Sequence, residues 1–328
     1  MARHGCLLTF LLLSLAMAIY AGAEDIKSSG VKLFVFGDSF ADTGNWDANK
    51  APLLYPFGMT WPGKPAGRQG DGYILTDIIA LFFNTTAPPA YFKWKKNAAS
   101  EPVSLGMNFA YSGSGAMPDA WEIYSLGVQL GQFKEAVESK AFTENDIKDA
   151  VALVSSVGND FRSFLKKLNR SESELPERAK MVRAEMFKFF EGLEKMGIKK
   201  AIMLSVSNFR DGKVDPVLVE HNKLLMEGLQ AFAKRSNMKI VFLDIDKLEP
   251  VARAMYPKDK WEANCCEPEK KYDFSQMCGE KDASGRKLYS LCSDPSQIFY
   301  FFRFHISHEG WKKIYSLILE SKVLEPLR

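Results

Sequence analysis

Histidine is scarce in this chain, with four residues in 328 and one of them, His4, close to the start. Any chemistry that needs an imidazole base therefore has few candidates: His221, His305 and His308. Cysteine is also scarce, and none of the five forms a C-x-x-C pair. Together with the lack of histidine among the last four cysteines, that argues against a zinc site, and no metal or organic cofactor is expected. Charge of neither sign dominates, with 43 basic against 40 acidic residues. No basic cluster interleaves with aromatic residues, so no nucleic acid is expected as a partner. No internal repeat, low-complexity tract or linker divides the chain. After residue 23, no apolar run approaches the ~20 residues of a membrane span, so no stable membrane anchor is expected.

Residues 1–23 stand apart from the rest. Arg3 and His4 precede the apolar run "CLLTFLLLSLAMA", and Ala21 and Ala23 close it with small side chains. This is the pattern of a secretory signal peptide cleaved after Ala23. It implies a secreted, extracellular protein whose folded part is one domain, residues 24–328. Cleavage removes Cys6 and leaves Cys265, Cys266, Cys278 and Cys292. An even count in a secreted chain reads as two disulfides. Adjacent Cys265 and Cys266 are poor partners for each other, which leaves two connectivities open. Two sequons, at Asn84 and Asn169, are expected glycosylation sites on the same route.

Four apolar runs, 32–37, 150–157, 200–206 and 239–245, are almost continuous rather than alternating. That is how parallel strands read when helices cover both faces of their sheet. A weaker fifth strand is expected at 106–113. Helical patterns fall between or after them, at 71–84, 176–197, 215–236 and 307–323. Strands alternating with helices predict a three-layer α/β/α domain around a mostly parallel five-stranded sheet. The segment 43–70 is rich in glycine and proline, yet Trp46, Tyr55, Phe57 and Trp61 argue against disorder.

In such sheets, sites gather at the carboxyl ends of strands. Here those ends carry Gly37-Asp38-Ser39, Ser112-Gly113-Ser114-Gly115 and Gly158-Asn159-Asp160. A serine just past a buried strand can act as a nucleophile if a base and oxyanion donors lie near. Ser39 is the candidate nucleophile. Its own N–H, the N–H of Gly113 and the side-chain amide of Asn159 are candidate oxyanion donors. His305 is the candidate base, since it immediately precedes the last helix, with Ser307 as N-cap and His308 in the first turn. His221 falls mid-helix, where it reads as a surface or packing residue.

These blocks resemble a known family, the plant GDSL esterase/lipases of the SGNH hydrolase superfamily. "FVFGDSFADTGN", "YPFGMTWPGKPAGRQGDGYILTDIIA", "GMNFAYSGSGA" and "VSSVGNDF" are similar to that family's successive blocks, and the cysteine segment has its look. The resemblance covers essentially the whole mature chain. It implies an SGNH, flavodoxin-like fold and an ester or lipid substrate of small size. It also implies Ser39 as nucleophile, Gly113 (rather than Gly115) and Asn159 in the oxyanion hole, and His305 as base. The last block departs from the family's D-x-x-H. In "FFRFHIS", Phe302 stands where the aspartate belongs, with Arg303 and Ile306 also altered. The expectation is an imidazole without a carboxylate to fix its tautomer, oriented by a main-chain carbonyl or by Asp294 if the chain loops back, and opposed by Arg303 if it points inward.

Three functions follow from this pattern: an ester hydrolase, an acyltransferase that passes the acyl group to an alcohol, and a binding protein with a degenerate site. Segments 43–70 and 114–125 are the candidate walls of an apolar acyl pocket. Neither the acyl and alcohol specificity nor the oligomeric state can be read from these residues.

Overall fold

The tetrapeptide Leu33–Phe36 (β1) is fully buried, because it runs through the middle of a sheet covered on both faces. The computed structural model describes residues 30–50, 52–97, 103–207, 209–210, 213–270 and 276–328. The segment read as a signal peptide, with Cys6, lies outside them. β1 pairs with β2 (Gly106–Asn108) on one side and β3 (Val151–Val154) on the other. β4 (Lys200–Leu204) follows β3, and beyond a small ribbon of β5 (Phe209–Arg210) and β6 (Lys213–Val214) the chain adds β7 (Lys239–Leu243). The order is β2-β1-β3-β4-β7, and all four pairings are parallel. The fold is the mostly parallel five-stranded α/β arrangement that the apolar runs predict, and it agrees with the fold that the resemblance implies.

Side chains alternate across this sheet with the period of a strand. Phe34, Phe36, Ala152, Val154 and Met203 face one core, packed against helices Leu126–Glu138, Leu175–Lys195 and Pro216–Arg235. Leu33, Val35, Leu153, Ile202 and Leu204 face the other, packed against helices Leu75–Phe82, Ile245–Arg253 and His308–Ser321. Every strand ends earlier than its apolar run suggests. After Val154, Ser155 N–H makes one last bond to the Phe36 carbonyl, while Ser155 Oγ and Val157 N–H donate to the carboxylate of Asp38. Among the strands of this sheet, β1 alone has its two neighbours reached through opposite crossovers. Its carboxyl end is therefore the crevice at which such sheets bind ligands.

A second sheet was not anticipated. β8 (Asn264–Pro268), β9 (Tyr289–Leu291), β10 (Tyr300–Phe302) and β11 (His305–Ile306) form it in the order β11-β10-β8-β9. Two disulfides, Cys265–Cys292 and Cys266–Cys278, brace it. Cys266 lies directly beside Phe302 in the ladder, and Phe57 from the long loop packs on the same cluster. The loop 43–70 is thus tied down: Gly58 N–H donates to the Gly70 carbonyl and Thr60 N–H to that of Asp71.

The Cys266–Cys278 bridge stands beside the strand that leads to His305. Replacing both residues by alanine is expected to lower stability by about 3 kcal/mol through the freer unfolded chain. Denaturant unfolding measures that loss. Far-UV circular dichroism below the transition should stay unchanged, since the five-stranded sheet does not depend on the bridge.

Candidate active site

The site starts from the backbone at Gly37, whose φ of +129° only glycine adopts readily. A Cβ there would lie 1.9 Å from the Ser155 carbonyl oxygen. The side chain of Gln129 clasps this residue from the helix Leu126–Glu138. Gly37 N–H donates to its Oε1 at 2.7 Å, and its Nε2 donates to the Gly37 carbonyl at 2.9 Å. The next residue, Asp38, is fully buried. Its carboxylate accepts from Ser155 Oγ at 2.8 Å, Val157 N at 2.7 Å and Phe40 N at 3.2 Å. Burial nonetheless pushes its pKa up to about 6. Ser39 is thereby presented at the crevice on a turn fixed from three sides.

His305 sits on β11, 5% exposed. Its Nε2 lies 2.8 Å from Ser39 Oγ, and its Nδ1 lies 3.2 Å from the Phe302 carbonyl oxygen. A carbonyl can only accept, so Nδ1 carries the proton and Nε2 presents its lone pair to the serine hydroxyl. Of the two orienters expected in place of a carboxylate, the main-chain carbonyl is the one that meets the imidazole. The tight β10–β11 turn, with Arg303 left-handed at φ +55°, folds the carbonyl of residue 302 back toward the imidazole. Asp294 is not the orienter: it is exposed and accepts from Ser296 N and Oγ on its own turn. The hairpin is held from below by Ser307, whose Oγ donates to the Ile298 carbonyl and caps the last helix through Gly310 N.

Aromatic rings surround the imidazole. Phe304 stacks on it with centroids 4.7 Å apart, Phe40 is tilted at 5.7 Å, and Phe302 lies parallel at 6.0 Å. Burial pushes the His305 pKa down to about 3, with the Phe302 carbonyl opposing and the charges of Arg303 and Arg162 adding to the drop. The Arg303 guanidinium covers the Phe302 ring at 4.6 Å and donates to the Gln276 carbonyl.

Asn159 opens the helix Asn159–Lys166 and donates from Nδ2 to the Ser114 carbonyl at 2.9 Å. The amide therefore keeps one N–H for another acceptor. Gly113 holds φ +85°, and a Cβ on it would crowd Glu122. Gly115 has a packing reason to be glycine, since its Cβ would meet the Asp160 carboxylate at 2.4 Å. Asp160, fully buried, accepts from Ala116 N, Met117 N and Ser156 Oγ, and so joins the loop after β2 to the helix after β3. Asp42 plays the matching part between β1 and β2. It accepts from Gly44, Asn45 and Trp46 N–H groups and from both N and Oγ of Ser112. Asp42, Asp160 and Gln129 were not singled out from sequence. Their types were visible, but their distant partners lie 43 to 92 residues away.

The other histidines are accounted for elsewhere. His308 Nδ1 accepts from Tyr73 N at 2.9 Å, and its own N–H donates to Asp71. His221 is a packing residue, fully buried with the Phe161 ring edge-on. Among the described residues no group of His, Cys, Asp and Glu is arranged to hold a metal ion, and no helix is long and apolar enough to cross a membrane.

A serine–imidazole contact of this kind at a strand end coincides with a sequence match to the GDSL-like lipase/acylhydrolase model over residues 33–318. The chain belongs to this GDSL family. One GDSL esterase/lipase of Arabidopsis thaliana is 32% identical to it over 96% of this chain and 95% of its own. A second from the same plant is 31% identical over 88% and 86%, and a GDSL lipase of Tanacetum cinerariifolium 25% over 83% and 79%. Phe302 has its side chain buried among Phe57 and the disulfides while its carbonyl faces His305.

Phe302→Asp is expected to raise kcat/KM by about tenfold, because a charged acceptor holds Nδ1–H about twice as strongly as a neutral one. The melting temperature should fall, since the new carboxylate enters an apolar cluster. Steady-state kinetics and a thermal scan on the same sample decide the point. An unchanged rate in a folded variant would mean that the carbonyl already supplies all the support the imidazole uses.

Proposed function

We propose that the protein is a secreted carboxylic ester hydrolase that acts through an acyl-enzyme on Ser39. The observation that carries this reading is the 2.8 Å contact between His305 Nε2 and Ser39 Oγ, with Nδ1 held by the Phe302 carbonyl. In this mechanism Nε2 takes the hydroxyl proton as Ser39 Oγ bonds to the ester carbonyl carbon. The negative oxygen is held by the N–H groups of Ser39 and Gly113 and by the Asn159 amide. His305 then gives the proton to the departing alcohol oxygen. Water, deprotonated by the same nitrogen, releases the acid and restores the serine. The substrate is a small ester or lipid. The GDSL membership and the names of the relatives support hydrolysis of this class.

The secretory part of the proposal rests on residues 1–23, the two disulfides and the sequons. Asn84 and Asn169 are both exposed, as glycan attachment requires. A second reading, a binding protein that no longer turns over esters, is favoured by one observation: His305 is buried beside two arginine charges and lacks a carboxylate. A fluorophosphonate separates the two, because it labels only a serine that an adjacent base activates.

Ser39→Ala is expected to abolish p-nitrophenyl acetate hydrolysis and fluorophosphonate labelling while lowering stability by only about 1 kcal/mol, the loss of one buried hydrogen bond, so that the variant still folds. Full activity in that variant would remove Ser39 from the mechanism. The pH profile gives an independent check. The base must be neutral, and a pKa lowered to about 3 keeps it neutral through the range where an ordinary histidine of about 6.5 protonates. The acid limb of kcat/KM should therefore lie well below pH 5, and a limb near pH 6.5 would contradict the buried base.

A further inference from the structure

A carboxylate stands beside one of the candidate oxyanion donors. Glu122 N–H donates to the Gly113 carbonyl at 3.2 Å, and a Cβ on Gly113 would lie 2.9 Å from Glu122 Cγ. The stem of Glu122 thus packs on the Gly113 backbone, and bond lengths alone keep its carboxylate within about 7 Å of the Gly113 N–H. Lys50, just past the helix Asn45–Asn49, meets that carboxylate. Asn49 fixes the same junction, since its Nδ2 donates to the hydroxyls of Tyr111 at 3.2 Å and Tyr124 at 2.9 Å. Two walls of the crevice are therefore joined next to Gly113. The charge of Glu122 is felt within this wall. Burial pushes the Tyr111 pKa up to about 12, with the Asn49 amide opposing and Glu122 adding to the rise. The buried acids at this end of the sheet, Asp38, Asp42 and Asp160, are met by backbone N–H donors, whereas Glu122 is met by a cation.

We propose that Lys50 is a positioning residue of the hydrolytic site, whose charge keeps Glu122 from opposing the oxyanion held at Gly113. The inference rests on the hydrolase reading and adds a residue to its machinery. Attack on the ester turns a neutral carbonyl oxygen into a negative one. A bare carboxylate so near raises the energy of that oxyanion and leaves the neutral ester untouched. A lysine paired with the carboxylate cancels most of its field at this range. The effect arises only as the oxyanion forms, in acylation and again in deacylation, so it enters kcat rather than KM. A strap that merely held two walls together would behave differently, because removing either end would break it equally. The charge reading gives the two ends opposite signs.

The test uses the full mature chain and a neutral substrate, p-nitrophenyl acetate, with a thermal scan on each protein. Lys50 is exposed, so Lys50→Gln leaves the core untouched. That variant should lower kcat about fivefold, the effect of one uncompensated charge at such a distance near a protein surface, and should move KM little. The rate of fluorophosphonate labelling at Ser39 should fall by the same factor, since that reaction also builds negative charge on the held oxygen. Lys50→Arg should keep the wild-type kcat, and Glu122→Gln should keep or raise it. The double variant, Lys50→Gln with Glu122→Gln, should return to the wild-type value. In 1 M salt, where the Debye length is about 3 Å, the deficit of Lys50→Gln should shrink. Three results would each overturn the proposal: no loss in Lys50→Gln, an equal loss in Glu122→Gln, or a double variant as slow as Lys50→Gln. Turnover by the wild type leaves the hydrolase reading standing in all three. A wild type without turnover, with Ser39 unlabelled, would overturn both.

Discussion

Three buried carboxylates hold the carboxyl ends of β1, β2 and β3 together, and the rest of the site depends on them. Asp38 binds the loop after β3, Asp42 binds the loop after β2, and Asp160 ties that loop to the helix after β3. Each is surrounded by backbone N–H groups, which is what allows an acid to stay inside the protein. Burial raises the pKa of all three, so their donors offset rather than abolish the penalty. A crevice built this way has loops that cannot drift independently. Ser39, Gly113 and Asn159 stand on those loops and share their rigidity.

The base comes from a different structure. His305 belongs to the disulfide-braced sheet, and its hydrogen bond to Ser39 spans 266 residues of sequence. A main-chain carbonyl, that of Phe302, orients it. A carbonyl fixes the tautomer as well as a carboxylate does, but it brings only a dipole to the imidazolium. The stacked rings of Phe304 and Phe302 deepen the difference by excluding water from the base. A carbonyl in this place therefore leaves the ground-state geometry in order and concentrates its effect on a charged imidazolium.

Much of this was legible in the sequence, for a physical reason. Parallel strands covered on both faces show as unbroken apolar runs, and all five runs became strands. The long helices 175–195 and 216–235 showed by period and by proline at their first turn. The helix Leu126–Glu138 was missed because Gly127 and Gly131 interrupt its pattern. The helix Asn159–Lys166 was missed because its first residues read as a loop motif. The second sheet was invisible because its strands are two to five residues long and rich in cysteine and polar residues. At the site, Ser39, Gly113, Asn159 and His305 were singled out as strand-end or helix-start residues, and the structure brings Ser39 and His305 together. The carbonyl of Phe302 could not be, since a main-chain atom has no letter in the sequence. Gln129 was hidden for another reason: its role is set by a clasp on a glycine 92 residues away.

The last strand of the five-stranded sheet ends at Leu243, and His305 follows some way beyond it. During synthesis, the sheet, the serine and the three carboxylate anchors all leave the ribosome before the base exists. A chain cut or terminated between β7 and β10 would hold a complete nucleophile pocket with nothing to deprotonate it. In the proposed mechanism, the serine would therefore have no base until the cysteine-rich segment has been made and folded against it.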